Sequence, residues 1–253
     1  MIDIHSHILP GIDDGAKKLS DSLEMIKRSF SEGITHLVAT PHYKKGHFEV
    51  AYDEVEKIVK GINKFIAEEN LKGKVYAGQE IYFTEELLEL YKKGIIGTIN
   101  NSRYMLIEFS MSKIDKQEAL DCMYELNLLG ITPIIAHPER YRDVMKDPSF
   151  LNDFIDEGCL FQLNVGSLRG DFGKEVKKTA EKLAKHRIYS FVGSDAHNNI
   201  NRVTGIKDGI EELNSIYKNY WKILQKNSID LIENSEIEFE GEIIKTKKKF
   251  IFF

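Results

Sequence analysis

Cysteine is scarce in this chain. Two thiols, Cys122 and Cys159, stand in 253 residues. One sits in a helix-like context and the other at a strand entry, and without a secretory signal such residues read as buried thiols rather than a disulfide. Neither is followed by an arginine six positions on, so the Cys-x5-Arg loop of thiol-dependent phosphate chemistry is missing. No apolar run approaches the roughly 20 residues needed to span a bilayer, and no charged-then-apolar leader precedes His5. The chain is therefore expected to be cytoplasmic and not an integral membrane protein. Positive charge is in deficit: 35 Lys and Arg against 40 Asp and Glu leave a formal net charge of −5. That argues against a nucleic-acid partner, because backbone phosphates select a net basic surface. Linkers, low-complexity tracts and repeats are lacking as well, so 1–253 reads as one domain, with 237–253 a C-terminal tail or edge segment.

What is present is an alternation of short β-rich runs and amphipathic stretches. Hydrophobic residues at 42% and charged residues at 30% describe an ordinary globular chain with a sizeable core. Strands are expected at 1–4, 34–40, 74–77, 104–109, 131–136, 160–163 and 188–192. Helices are expected at 20–30, capped by Ser20 and stopped by Gly33, and at 49–69, 84–93 and 115–129. Asp115 and Glu118 have capping-box spacing. Asp147-Pro148 opens a further helix that Gly158 closes, 174–185 is another, and 203–228 holds one or two more. Seven strands alternating with helices imply parallel βα units, and a domain of this length closes them into a barrel-like sheet. The last segment runs Lys247-Lys248-Lys249 into Phe250-Ile251-Phe252-Phe253. It reads as an edge strand or frayed terminus, or else as a docking tail for a partner or a membrane surface.

The polar residues fall where a barrel keeps its chemistry, at the C-terminal ends of the strands. His5 and His7 follow the first, and alternate strand residues share a face, so both imidazoles can meet one ion. His42 follows the second and Glu80 the third; Glu108 belongs to the fourth, His137 follows the fifth, and Asp195 and His197 follow the seventh. Asp14 can join them from the first loop. Five of the eight histidines occupy these positions, leaving His36, His47 and His186 to structural roles. Each residue alone has an ordinary reading: a capped loop histidine, a buried carboxylate paired with an arginine, a turn former. Together they do not, because carboxylates and imidazoles converging on one barrel mouth need cations to offset desolvation and mutual repulsion. Nine candidate ligands exceed the needs of one ion and suit two or three. Mixed imidazole and carboxylate donors favour manganese, iron or zinc over calcium or magnesium.

His5-Ser-His7, Thr40-Pro-His42, Glu80, Glu108, His137-Pro-Glu-Arg140 and Ser194-Asp-Ala-His197 resemble the polymerase and histidinol phosphatase (PHP) family. The opening His-Ile-Leu-Pro-Gly-Ile-Asp-Asp-Gly, residues 7–15, is similar to its bacterial manganese-dependent tyrosine-protein phosphatases, encoded with capsule and exopolysaccharide synthesis. The resemblance covers essentially the whole chain. It implies a distorted (β/α)7 TIM-like barrel with three divalent ions, manganese first and iron or zinc as alternatives. One ion would be held by His5, His7, Glu80 and Asp195, a second by Glu80, Glu108 and His137, and a third by Asp14, His42 and His197. Arg140 and Arg202 match the arginines that would grip phosphate, and with His42 and His197 they form the implied catalytic set. Alternatively, Arg140 pairs with Glu139 or Asp143 and Arg202 is an exposed loop cation. The implied substrate is phosphotyrosine on the tail of a bacterial tyrosine kinase. The competing readings are a phosphatase of a small monoester such as histidinol phosphate, and a catalytically silent metal-binding regulatory module.

Overall fold

The computed structural model describes residues 1–245. In chain order the elements begin with β1 (Ile2–Ser6), α1 (Leu19–Ser31), β2 (His36–Ala39), β3 (His42–Tyr43) and α2 (Tyr52–Glu68). They continue through β4 (Lys74–Ala77), β5 (Glu80–Tyr82), α3 (Leu87–Lys92), β6 (Tyr104–Glu108), α4 (Lys116–Leu128), β7 (Thr132–Ala136), α5 (Arg142–Lys146) and α6 (Asn152–Asp156). The last are β8 (Leu160–Asn164), α7 (Val165–Arg169), α8 (Lys174–Lys185), β9 (Phe191–Gly193), α9 (Ile206–Ile216) and α10 (Tyr220–Ile232).

All strand pairs are parallel, in two sheets ordered β1-β2-β4 and β3-β5-β6-β7-β8-β9. The seven expected strands are all here, but two are interrupted. The second breaks at Thr40-Pro41 into β2 and β3, where proline has no N–H for the ladder. The third breaks at Gly78-Gln79 into β4 and β5; a Cβ on Gly78 would sit 3.0 Å from Val38 Cγ1 and 3.3 Å from Thr40 Cγ2, so the two breaks press together. Each broken strand passes from one sheet to the other. The remaining seam closes at its C-terminal end, where His7 N donates to Ala196 O at 2.8 Å and Asp195 N to His5 O at 2.8 Å. The result is a distorted seven-position barrel.

Ile2, Ile4, Val38, Tyr104, Leu106, Ile134, Leu160 and Phe191 fill the barrel, with Leu231 of α10 joining them. A second cluster lies between strands and helices and includes Leu37, Ile107, Ile135, Phe161 and Leu183. Each fully buried side chain of this kind contributes about 1.5–3 kcal/mol relative to exposure. The N-terminal end of the barrel is covered by the chain after α10: Tyr104 Oη donates to Ser235 O at 2.6 Å, and Phe239 packs on both clusters.

The helices differ from expectation mainly at their ends. Lys18, not Ser20, is the N-cap of α1, and α2 starts at Tyr52. Asp115 does cap α4, accepting from Glu118 N at 3.3 Å. Asp147-Pro148 opens a 3-10 turn, Pro148–Leu151, before α6. Helices α5 and α7 carry no signal in the sequence pattern because each is a single short turn packed by its neighbours. Residues 237–245 form no strand, and Ile244 is pinned through paired hydrogen bonds with the Asn152 side chain. The Lys247 to Phe253 run lies outside the described residues.

Candidate metal centre

One irregularity in β1 aims the first two histidines. Asp3 pairs with Leu37 and Ser6 with Ala39, so β1 carries one residue more than β2 over this interval. A one-residue bulge reverses the alternation of faces. Ile2 and Ile4 point into the barrel before it, and His5 does so after it, in contact distance of Gly193, where an added Cβ would lie 2.5 Å from His5 Cβ. His7 follows on the same face, and the two Nε2 atoms are 3.1 Å apart.

The other predicted ligands arrive from their strands as expected. His42 opens β3, Glu80 opens β5 and Glu108 ends β6. His137 and Asp195 lie just beyond β7 and β9 with positive φ angles of 34° and 52°. Non-glycine residues in that region carry strain, and here it turns both side chains inward over the barrel mouth. Asp14, half-exposed, closes the open side.

Glu80 is the hub. Its Oε2 lies 3.2 Å from His5 Nε2, 3.3 Å from His7 Nε2 and 3.1 Å from His42 Nδ1, and its Oε1 lies 2.8 Å from His137 Nε2. Glu108 Oε1 is 3.8 Å from His137 Nε2, and Glu108 Oε2 is 3.8 Å from His42 Nδ1. Asp14 Oδ1 is 3.2 Å from His197 Nε2 and 3.6 Å from His42 Nε2. Asp195 Oδ1 is 3.4 Å from His7 Nε2 and 3.8 Å from His5 Nε2. Potential donor atoms fall into three groups, each spanning no more than 4.8 Å: His5, His7 and Glu80; His42, Glu80 and Glu108; His7, Asp14, His42 and His197. His7, His42 and Glu80 are thus shared between groups, whereas the resemblance shares Glu80 alone. His137 and Asp195 touch the groups from their edge.

The donor set fits cations. Gln162 Nε2 donates to Leu163 O, which leaves Gln162 Oε1 facing His5 Nδ1 at 2.9 Å, and Asp13 Oδ2 faces His7 Nδ1 at 2.8 Å. Both Nδ1 atoms are therefore donors, which leaves the two Nε2 atoms facing each other beside Glu80, where a cation would take both lone pairs. Buried atoms His42 Nδ1, Glu80 Oε2 and His197 Nε2 have no hydrogen-bond partner, which a cation would supply.

Burial lowers His5 and His7, but Glu80 and Asp195 beside His5, and Asp13, Asp195 and Glu80 beside His7, outweigh it and raise both. Without an ion these imidazoles attract protons that a cation would displace. Burial pushes Glu108 up to about 9, with the Glu80 and Asp195 charges adding to it. Burial lowers His42 to about 4, and burial with the Arg140 charge lowers His137 to about 4, so both imidazoles are neutral and free to ligate. Burial would raise Glu80 as well, but His5, His42 and His137 hold it well below the usual carboxylate range.

Arg140 and Arg202 grip the two oxygens of Asp195, at 2.8 and 2.6 Å. Arg140 also lies 4.4 Å from the Phe172 ring centroid. Neither ordinary alternative for Arg140 holds: Glu139 accepts from Asn164 N and Tyr189 Oη, and Asp143 accepts from Ile114 N. Arg202 is partly buried rather than a free loop cation. Asp14, His42, Glu80, Glu108, His137, Asp195 and both arginines line a cavity of about 290 Å³, and His5, His7 and His197 join them through their contacts with Glu80 and Asp14.

Four residues of the site escaped sequence reasoning. Asp13 and Gln162 orient His7 and His5. Asn164 Nδ2 donates to Asp195 Oδ2 at 2.8 Å, and Asp3 accepts from Ser194 N and Oγ. Gln162 and Asn164 carry a signal, being polar inside an apolar strand; Asp13, beside Asp14 and Gly15 in the first loop, carries none that separates it from a turn residue.

The family model described as "Capsular polysaccharide synthesis, CpsB/CapC" matches residues 1–233. The tyrosine-protein phosphatase YwqE of Bacillus subtilis (strain 168) is 33% identical over 255 residues, covering 100% of both chains. A solved structure of the metal-dependent tyrosine phosphatases YwqE from Bacillus subtilis and CpsB from Streptococcus pneumoniae superposes with a TM-score of 0.92 at 34% identity, over 97% of this chain and 100% of that one. Histidinol phosphate phosphatase from Lactococcus lactis shares the fold, with a TM-score of 0.56 at 15% identity over 87% of this chain and 93% of that one.

Proposed function

The chain belongs to the CpsB/CapC capsular polysaccharide synthesis family, and from that membership and its site we infer that it is a metal-dependent tyrosine-protein phosphatase of a capsule-synthesis locus. The observation that carries the chemistry is Glu80, one carboxylate placed among the imidazoles of His5, His7, His42 and His137 at 2.8–3.3 Å.

The residues fit three divalent ions, manganese being the first expectation and iron or zinc the alternatives. His5, His7, Glu80 and Asp195 would hold one, Glu80, Glu108 and His137 a second, and Asp14, His42 and His197 a third, with His7 and His42 near enough to serve neighbours. Bound there, such ions neutralise phosphate charge and lower the pKa of an attacking water. The protein does the rest. Arg140 and Arg202 bring two guanidinium groups to the mouth, where their N–H donors stabilise the equatorial oxygens of the transferred phosphoryl group. Asp195 aims both of them. The leaving phenolate has a pKa of about 10 and needs little protonation. His42 and His197 flank Asp14 on the open side, and because burial lowers both imidazoles they serve as ligands rather than as proton donors. No thiol takes part: Cys159 is buried and Cys122 half-buried, and burial raises both thiols above their ordinary range.

The physiological substrate in this reading is a tyrosine-rich tail of a bacterial tyrosine kinase, in keeping with the capsule family. The test is turnover of p-nitrophenyl phosphate, a phosphotyrosine peptide and histidinol phosphate by chelated and then manganese-, iron- or zinc-reconstituted protein, with metal content measured in parallel. Metal-dependent turnover of the peptide with little of histidinol phosphate is expected. Absence of metal-dependent activity would sink the enzyme reading, and preference for histidinol phosphate would replace the substrate.

A further inference from the structure

The loop after β3 is a closed hairpin rather than a slack connection. Lys44 N donates to Phe48 O at 2.7 Å and Phe48 N to Lys44 O at 2.8 Å, forming an antiparallel bridge. Gly46, at the tip with φ +79°, donates its N–H to Glu49 Oε1 at 2.6 Å. This fixes the Phe48 ring over His42, nearly parallel at 14° with centroids 5.9 Å apart. Phe48 is only half-buried. Its ring and Met111 supply the apolar part of the cavity lining; the remainder is Asp14, His42, Lys44, Glu80, Glu108, His137, Asp195 and the two arginines.

The ion ligands and the guanidinium groups account for capture of a phosphate dianion. They do not account for a half-exposed phenyl ring at the lip of an otherwise charged cavity. We infer that Phe48 is a specificity-determining residue for the alcohol side of the ester: its ring packs against the phenyl ring of a bound aryl phosphate and favours aryl over alkyl phosphomonoesters. The hairpin bonds give the ring a fixed place before substrate arrives. The inference rests on the phosphatase reading and assigns its aryl selectivity to one side chain. An aromatic pair at centroid separations of 4.5–7 Å gains modest affinity, so the effect belongs in substrate binding.

The test uses full-length, metal-reconstituted wild type, Phe48→Ala and Phe48→Tyr. Two quantities are read: KM for phenyl phosphate, and the inhibition constant of inorganic phosphate, which carries the dianion without the ring. Phe48→Ala is expected to raise KM about three- to tenfold while shifting the phosphate constant by less than about twofold, with Phe48→Tyr near wild type. An equal rise in both constants would make Phe48 a prop for His42 and overturn the inference, as would an unchanged KM. Wild-type turnover of phenyl phosphate reports separately on the phosphatase reading.

Discussion

Asp13 Oδ2 lies 2.8 Å from His7 Nδ1, and the same oxygen accepts from His42 N at 3.0 Å. One buried carboxylate thereby orients two candidate ligands from different strands. Outer partners of this kind raise ligand basicity and fix the tautomer. Asp13→Asn is expected to lower metal affinity about 10- to 100-fold, read by titration of the chelated protein, with the far-ultraviolet spectrum of the fold retained. Wild-type affinity in this variant would remove Asp13 from the site.

Arg140 and Arg202 both hold Asp195, yet their assigned work is on phosphate. Arg140→Ala is expected to cost about 10²-fold in kcat/KM, the scale of losing one preorganised donor, with metal content unchanged. Phe172→Ala, which frees the Arg140 guanidinium from its ring contact, should cost only a few-fold. Loss of metal in step with activity in Arg140→Ala would show that the arginine serves Asp195 alone.

Glu108 supplies a pH signature in the metal-free state. Burial and the neighbouring carboxylates raise it from an ordinary 4.5 to about 9. The folded chain therefore holds this proton more tightly than the unfolded one. Its contribution is full below about pH 4.5 and is lost as pH rises through about 9, at no more than roughly 1.4 kcal/mol per pH unit. Denaturant titrations of chelated protein across this range should show stability falling with pH, and Glu108→Gln should flatten that component. An identical slope in wild type and variant would refute the assignment.

Gly193 is the narrowest point behind His5. A Cβ there would meet His5 Cβ at 2.5 Å and Gln162 Nε2 at 2.7 Å. Gly193→Ala is expected to destabilise the protein by about 1–3 kcal/mol, the usual cost of overpacking, and to weaken metal binding by displacing His5. Thermal melts and metal titration check both; a neutral substitution would mean that β9 yields without moving the ligand.

The succession of strands and the imidazoles and carboxylates at their ends were legible from residue order, because parallel βα units deliver each strand's last residues to one face; the two arginines were legible only through the family resemblance. The opening His-x-His and the closing Asp-Ala-His stand far apart in sequence, but topology alone predicts that they meet. The break at Thr40-Pro41 was partly visible in its proline. The matching break at Gly78 was not, since it answers a contact with Val38 and Thr40 that exists only in the folded barrel. The same holds for the Asp13 and Gln162 partners, and for the sharing of His7 and His42 between ligand groups. The sequence by itself determined which donor types reach the mouth and from which strands, because a side chain's chemistry and its position along a strand are local. Only the tertiary structure decided their mutual distances, tautomers and charge states. The bulge that turns His5 inward, the left-handed backbone at His137 and Asp195, and the burial that neutralises Glu108 all arise from packing between segments far apart in the chain.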